Sequence, residues 1–522
     1  MGRILVVVAL VMALAPATAL AADPPTGADI SDSLEYVGRV PNSGMIVEGK
    51  FDRVEGQHVL VTTGRYGFRT YDVSDPANPV PLDSYQPPEI LGANGYWQDE
   101  DMQIDNRRKL IIGALDPRHD DVDQTSCPGL GTLSAKNRNP ACRSGFYVIS
   151  YRDPSDLRQI GDFVELPAGH TASCIRGCRY IWTGGPARRD DLPALFPGVW
   201  TAFTPGARGD GRPIWVTDLR NPYRPKVFKQ PIDLWRNDGA TDYSHDVNVD
   251  DNGIAWTSGR GGILGYATHG LWRDPYTDRR RRARPWNPVL VAGGGVGGVN
   301  QPQTDFMHNS LRPVDGSTHA SGVRQGGVLI GTEEDFTEPC DKSGRVVFSD
   351  ISDSLGGEPA ANSTPEHPYR MKALDTFHPA QDDNGEAIDD TLECSAHYFE
   401  LSGSTLGVAW YGQGLRLLDV SDARAVRQIG YYRVTGSVEQ ESSNSWDLAW
   451  NGSYVYLFDM NRGIEVLKLE SSTAAASVSR LRTVRAPDAQ ADRYAPVPAS
   501  SLSAGALICP AFKSSGVARA SR

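Results

Sequence analysis

A short strand pattern returns seven times along this chain, and in four consecutive copies a histidine holds the same slot. The slots read Gly169-His170-Thr171-Ala172-Ser173, Ser244-His245-Asp246-Val247-Asn248-Val249, Met307-His308-Asn309-Ser310-Leu311 and Ala396-His397-Tyr398-Phe399-Glu400-Leu401. Each histidine opens an apolar run. The chain holds 10 histidines in 522 residues, so four in one register point away from scatter. A repeat fold that superimposes equivalent positions converges these four imidazoles on one point.

A second recurring element is a strand that ends in an acidic turn. It reads Gly67-Phe68-Arg69-Thr70-Tyr71-Asp72-Val73-Ser74-Asp75-Pro76, and returns at Gly145–Pro154, Ile214–Pro222, Val346–Asp353 and Gly414–Asp422. Truncated or degenerate copies lie at Gly463–Leu467 and Gly262–Tyr266. Glycine permits the turn into each strand, the apolar residues suit a buried sheet, and Asp or Ser-Asp-Pro caps the turn out. With the histidine-slot strand, the apolar strand after it and a fourth strand behind, each unit has four short antiparallel strands. Seven such units predict an all-β, seven-bladed β-propeller over residues 34–469, its blades beginning near 47, 99, 169, 244, 307, 395 and 445.

The seventh unit runs out at Leu469 after three strands, and an orphan strand pattern, Leu34-Glu35-Tyr36-Val37-Gly38, lies near the N-terminus. That N-terminal strand is expected to close the last blade and hide two sheet edges that would otherwise invite pairing with other chains. Stretches 115–143, 186–212, 266–287, 312–326 and 353–393 read as loops on the propeller faces. Residues 470–522, rich in Ser, Ala and Arg, read as a disordered tail.

The Asp-Val-Ser-Asp-Pro units resemble LVIVD repeats, which are found in exported bacterial β-propellers. The resemblance covers roughly residues 34–469, is clearest at 59–85, 144–163 and 405–431, and is weak in the fourth blade. It implies the propeller fold and an extracytoplasmic setting, and no particular activity.

In a propeller the first strand of each blade lines the central channel. The ring of slots is therefore expected to read Glu100, His170, His245, His308, His397 and Trp446 for blades two to seven, with Glu48 the nearest candidate in blade one. Four neutral imidazoles suit a transition metal, iron or copper ahead of zinc, with one or two coordination positions open. Glu100, Asp101, Asp246, Glu400 and Asp447 are candidates to bind the far ring nitrogens and fix the tautomers. This arrangement is similar in site architecture, not in overall sequence, to carotenoid cleavage oxygenases, propellers that hold Fe(II) through four inner-strand histidines. It is also similar to the selenium-binding, methanethiol-oxidising family. That likeness implies His170, His245, His308 and His397 as ligands and oxidative chemistry.

Composition limits the partners. The formal net charge of −12 argues against nucleic acid, since phosphate binding requires a basic face. One run, Arg279-Arg280-Arg281-Arg282-Ala283-Arg284, breaks that trend and reads as a solvated loop. Residues 1–21 carry a basic start, an apolar stretch and Ala19-Leu20-Ala21, the pattern of a signal peptide, and no segment is apolar enough for a membrane span. Seven cysteines in an exported chain suggest disulfides, most simply Cys127–Cys142, Cys174–Cys178 and Cys340–Cys394, with Cys509 left over. Cys174, four residues after His170, has a thiolate-ligand role as the alternative. Trp97, Trp182, Trp256 and Trp410 are expected between blades, and Trp446 nearer the axis.

Two functions follow as expectations. The first is a secreted propeller with an axial four-histidine metal centre and oxidative chemistry on a small molecule. The second is a non-catalytic extracellular scaffold whose face loops bind protein, glycan or a cell surface.

Overall fold

The computed structural model describes residues 22–64, 66–87, 101–115, 145–166, 169–184, 213–233, 243–260, 262–294, 306–335, 344–355, 369, 371–379, 393–436 and 441–470. These residues form seven antiparallel sheets of four or five strands, joined into a seven-bladed β-propeller. No helix among them is long and apolar enough to cross a membrane, which says nothing of strands.

The innermost strands, in blade order, are Ile46–Val54, Gln103–Asp105, Thr171–Ile175, Tyr243–Val249, Met307–Leu311, Phe399–Ser402 and Ser445–Asn451. Blade one shows the pattern of the rest: Ile46–Val54, Gln57–Gly64, Gly67–Asp72 and Val80–Tyr85 pair in sequence order from the axis outward. The repeated acidic turn has a physical cause. Asp72 accepts from Ser74 N at 2.8 Å, Asp153 from Ser155 N at 3.0 Å, Asp218 from Arg220 N at 3.0 Å, and Asp419 from Ser421 N at 3.0 Å. Each aspartate thus terminates its strand by satisfying the backbone two residues on. Gly67 (φ +93°) and Gly414 (φ +70°) open their strands, where a Cβ would lie 2.4 Å from Tyr85 O and 2.1 Å from Tyr432 O. Only glycine fits there.

Ring closure follows the expected route. Leu34–Arg39 pairs with Gly463–Leu469, from Leu34 opposite Leu469 to Arg39 opposite Glu465, and completes blade seven. A further strand was not legible in the sequence: Ala28–Ile30 adds to the outer edge of blade six, secured by Arg433 on Asp29 at 3.0 Å.

Seven apolar clusters hold the ring, one at each junction between neighbouring blades. That between blades four and five contains Trp256, Ile263, Val291, Leu329 and Val347; that between blades seven and one contains Ile46, Leu60, Tyr71, Tyr456 and Phe458. Fully burying each large side chain contributes about 1.5–3 kcal/mol, so the stabilisation is distributed around the whole ring. Trp182, Trp256 and Trp410 lie in these junctions, as expected, while Trp97 is outside the described residues.

Two loop expectations are corrected. Within 353–393, Lys372–Phe377 is the fourth strand of blade five, because its backbone pairs with the sheet edge that Val346–Asp350 leaves open. Within 266–287, Leu271–Arg273 and Arg280–Arg282 pair as a hairpin, so the arginine run is partly a strand. Stretches 116–143 and 186–212 lie outside the described residues, as do residues 1–21 and 471–522. Cys174 and Cys178 form a disulfide across the first turn of blade three, which removes the thiolate alternative. Cys394 is disulfide-bonded too, while Cys127, Cys142, Cys340 and Cys509 lie outside the described residues.

Candidate metal centre

In four blades the shared slot is a β-bulge. In the innermost strand of blade four the pairing shifts between Ser244 and Asp246, leaving His245 as the extra residue. The same shift isolates His308 in blade five and Trp446 in blade seven. In blade one it isolates Val47, so Val47 rather than Glu48 occupies the slot. A bulge re-aims side chains and interrupts the ladder, leaving its own carbonyl available to a neighbour. His170 and His397 stand just before the innermost strands of blades three and six.

The four imidazoles meet in chain order. Ring centroids lie 4.5 Å apart for His170–His245, 4.2 Å for His245–His308 and 4.0 Å for His308–His397, and Trp446 follows at 5.0 Å from His397. All four histidines are 0% exposed. The far nitrogens use the bulge carbonyls: His245 Nδ1 lies 3.1 Å from His308 O, and His397 Nδ1 lies 2.5 Å from Trp446 O. A carbonyl only accepts, so Nδ1 carries a proton in both rings, and in a neutral ring that leaves the lone pair on Nε2. The blade-to-blade ladder continues in Thr171 Oγ1, which donates to His245 O at 2.7 Å. Backbone carbonyls, not the expected carboxylates, therefore set the tautomers of His245 and His397.

His170 Nε2 lies 2.8 Å from His245 Nε2. Two nitrogens each about 2.0–2.1 Å from one ion and at a right angle would be separated by about 2.9 Å, so this spacing fits a pair of adjacent ligands. A carboxylate not anticipated from the sequence joins them: ligand atoms of His245, His308 and Glu334 all lie within 4.8 Å of one another. Glu334 is buried and its Oε1 accepts from Tyr411 OH at 2.7 Å. The signal was local. The second strands of blades one and three end in Thr63-Gly64 and Thr183-Gly184, where blade five has Thr332-Glu333-Glu334. Phe306, Tyr398, Tyr411 and Trp446 wall the cluster, with Tyr398 4.7 Å from His308 and Phe306 5.3 Å from His245.

The carboxylates expected beside the rings form a second layer instead. Glu48, Asp101, Asp246 and Asp447 each stand one residue past the slot, and Glu400 stands three residues past His397; Glu100 is outside the described residues. Lys50 is their common cation. Its Nζ lies 2.5 Å from Glu48 Oε1, and it keeps 38% of its exposure while Glu48 keeps 1%. Glu48 also accepts from Met102 N, Asp101 from Gln103 Nε2 and from Ser173 Oγ at 2.8 Å, and Glu400 from Trp450 N at 2.8 Å. Asp101 and Asp246 share a side-chain hydrogen bond.

Burial raises all five acids above the ordinary carboxylate range. Glu48 is raised further by Asp447 and Asp101, with Lys50 opposing. Asp246 is raised by burial and by Asp101, and Asp447 is pushed up to about 7 by burial against the pull of Lys50. Asp101 and Glu400 are raised by burial as well. Burial opposes the charge on Lys50, but Glu48, Asp447 and Glu400 outweigh it and its ammonium is strengthened. The channel therefore has an imidazole layer beside a layer of buried carboxylates that burial drives towards the neutral form and one lysine opposes.

No protein-family profile matches the chain, and no curated protein matches it. Similar solved structures include the periplasmic gluconolactonase PpgL of Pseudomonas aeruginosa, 13% identical over 83% of this chain and 93% of that one, TM-score 0.44. Another is the β-propeller domain of Cps50 (Swd1) from Myceliophteria thermophila, 10% identical over 84% of this chain and 100% of that one, TM-score 0.43. A third is the extracellular domain of a one-component system from B. thetaiotaomicron, 11% identical over 83% of this chain, TM-score 0.42. This chain spans 40% of the length of that last structure. The likeness is one of fold.

Proposed function

We propose that the axial cluster holds one transition-metal ion, iron or copper ahead of zinc, and serves oxidative chemistry on a small molecule in an extracytoplasmic setting. The observation that carries this reading is the meeting of four buried imidazoles from four consecutive blades, with Nδ1 of His245 and His397 committed to backbone carbonyls. That commitment presents Nε2 lone pairs to a common centre. His245, His308 and Glu334 form a two-imidazole, one-carboxylate donor set, the kind associated with non-haem iron oxygenases that keep open positions. His170 and His397 are the remaining ligands of the proposal.

A bound iron or copper ion supplies dioxygen binding and electron transfer. The chain's own part is to position and to exclude water. Tyr411 holds Glu334 through its hydroxyl, and Phe306, Tyr398 and Trp446 pack around the imidazoles so that they do not face bulk solvent. In such a dry site electrostatic interactions with a cation are stronger than in water.

A second reading is a binding scaffold in which the imidazoles only join blades. It is favoured by the complete burial of all four rings and by the mutual contact of His170 and His245. Elemental analysis of the purified chain separates the two, with His170→Ala, His245→Ala, His308→Ala, His397→Ala and Glu334→Gln measured beside it. About one equivalent of iron or copper, lost in each variant while the unfolding transition persists, is the expected result. No metal after anaerobic reconstitution would sink the metal-centre reading and leave the scaffold.

A further inference from the structure

We propose that the arginine hairpin of blade four is a docking face for an anionic phospholipid surface. The hairpin interrupts the connection between the third and fourth strands of that blade, Gly262–Ala267 and Val289–Gly294. Strands alternate direction from the axis outward, and the histidines stand at the start of the innermost strands. A connection between third and fourth strands therefore emerges at the opposite face of the ring from the imidazoles.

The hairpin has two distinct sides, because strand side chains alternate. Trp272 and Arg281 are cross-strand partners on the side that is spoken for. Trp272 packs on the cluster between blades four and five; Arg281 binds Asp274 at 2.6 Å and the Asn287 side chain at 3.0 Å. The base is strapped to blade three, where Trp182 Nε1 donates to Pro285 O at 2.8 Å and Trp286 stacks on Phe228 at 5.0 Å. This is a built, anchored element rather than a solvated loop.

The other side carries Leu271, Arg273, Arg280 and Arg282 in register. Arg273 is paired with Asp278. Arg280 and Arg282 are exposed, as are Arg279 and Arg284 beside them, and Leu271 keeps 57% exposure. Residues 271–288 hold six arginines and two aspartates, and both aspartates are already taken by Arg273 and Arg281. A local charge of +4 thus remains on Arg279, Arg280, Arg282 and Arg284, in a chain of net charge −12. Guanidinium groups fork onto phosphate oxygens, and an exposed leucine between them can enter the headgroup–acyl boundary. The acidic remainder of the molecule is repelled by the same surface, so the charge distribution both attracts this face and orients the ring, with the imidazole face turned away from the lipid.

The test is cosedimentation of the whole chain with phosphatidylcholine vesicles containing about 30 mol% phosphatidylglycerol, against pure phosphatidylcholine vesicles, at about 0.05 M and about 0.5 M salt. Binding to the anionic vesicles only, abolished at the higher salt, is expected. Arg280→Gln with Arg282→Gln should weaken partitioning about 25-fold, roughly fivefold for each arginine. Leu271→Ser should weaken it several-fold more, and all these variants should melt like the parent. Equal binding to neutral vesicles, or unchanged binding by the double variant, would overturn the proposal. So would absence of binding to anionic vesicles at low salt; if polyglutamate were then retained by the parent and not by the double variant, the face would be a protein-docking surface instead.

Discussion

Among the described residues Lys50 is the cation shared by five buried acids, and its removal makes the most exacting test of the channel's electrostatics. In Lys50→Met the stem is kept and the ammonium lost, so Glu48, Asp447 and Glu400 lose the charge that opposes their burial. Breaking a fully buried pair by removing one partner costs about 3–5 kcal/mol, but Lys50 keeps 38% of its exposure and solvent screens part of that, so the cost should fall below this range. Unfolding entropy of ~2.1 cal/mol/K per residue makes 1 kcal/mol roughly 1 °C for a ring of this size, so Tm should fall by less than about 5 °C.

The pH dependence carries the sharper prediction. These acids have folded pKa values raised above their unfolded ones, with Asp447 near 7. The folded state therefore binds more protons than the unfolded state between about pH 4 and 7, and stability falls as pH rises through that window. Without Lys50 the acids are neutralised by protons more readily at pH 5 than at pH 8. The Tm loss of Lys50→Met should be clearly larger at pH 8 than at pH 5, measured by differential scanning calorimetry. Adding Glu48→Gln should recover a substantial part of it at pH 8, a coupling of about 0.5–3 kcal/mol. Equal losses at the two pH values, or none at pH 8, would refute the idea that Lys50 compensates charged carboxylates.

Two further outcomes are expected. Tyr411→Phe removes the hydroxyl that holds Glu334, and should weaken metal retention about 10–100-fold in a chelator competition while leaving Tm close to the parent. Deleting residues 22–39 strips blade seven of its outer strand and blade six of its added edge strand; light scattering should show concentration-dependent association, and a monodisperse monomer would contradict the closure described here.

The ring was legible because each of its devices is local. The Asp-x-Ser turn signals, the glycines before the third strands and the apolar alternation all act within a few residues, and they recur. Blade seven's closure was also readable, since Leu34–Gly38 had the pattern of the strand missing after Leu469. What escaped had no local signature. Ala28–Ile30 is three residues long and gains its place only from Arg427–Val434, far along the chain. The blade-five strand Lys372–Phe377 is mostly half-buried or exposed, and its period is hidden in a long polar insertion.

The candidate centre divides along the same line. Four histidines in one slot could be found by register, yet the slot's nature as a bulge could not, because a bulge is defined by what the partner strand does. That one geometric fact moves several assignments together. Residues at the slot and one past it both turn to the channel, which places His245 and Asp246 in adjoining layers instead of on opposite sides of the blade. It also exposes the slot carbonyls, and these displace carboxylates as partners of Nδ1 in His245 and His397. The acids so released surround Lys50, two residues beyond Glu48 and equally invisible as a partner from sequence spacing. Glu334 reaches the imidazoles from just past the end of a second strand, Val328–Glu333, where no inner-strand register applies. If the centre holds a metal, its donor set therefore comes from two kinds of position: one written as a repeat, the other supplied by a single blade's departure from it.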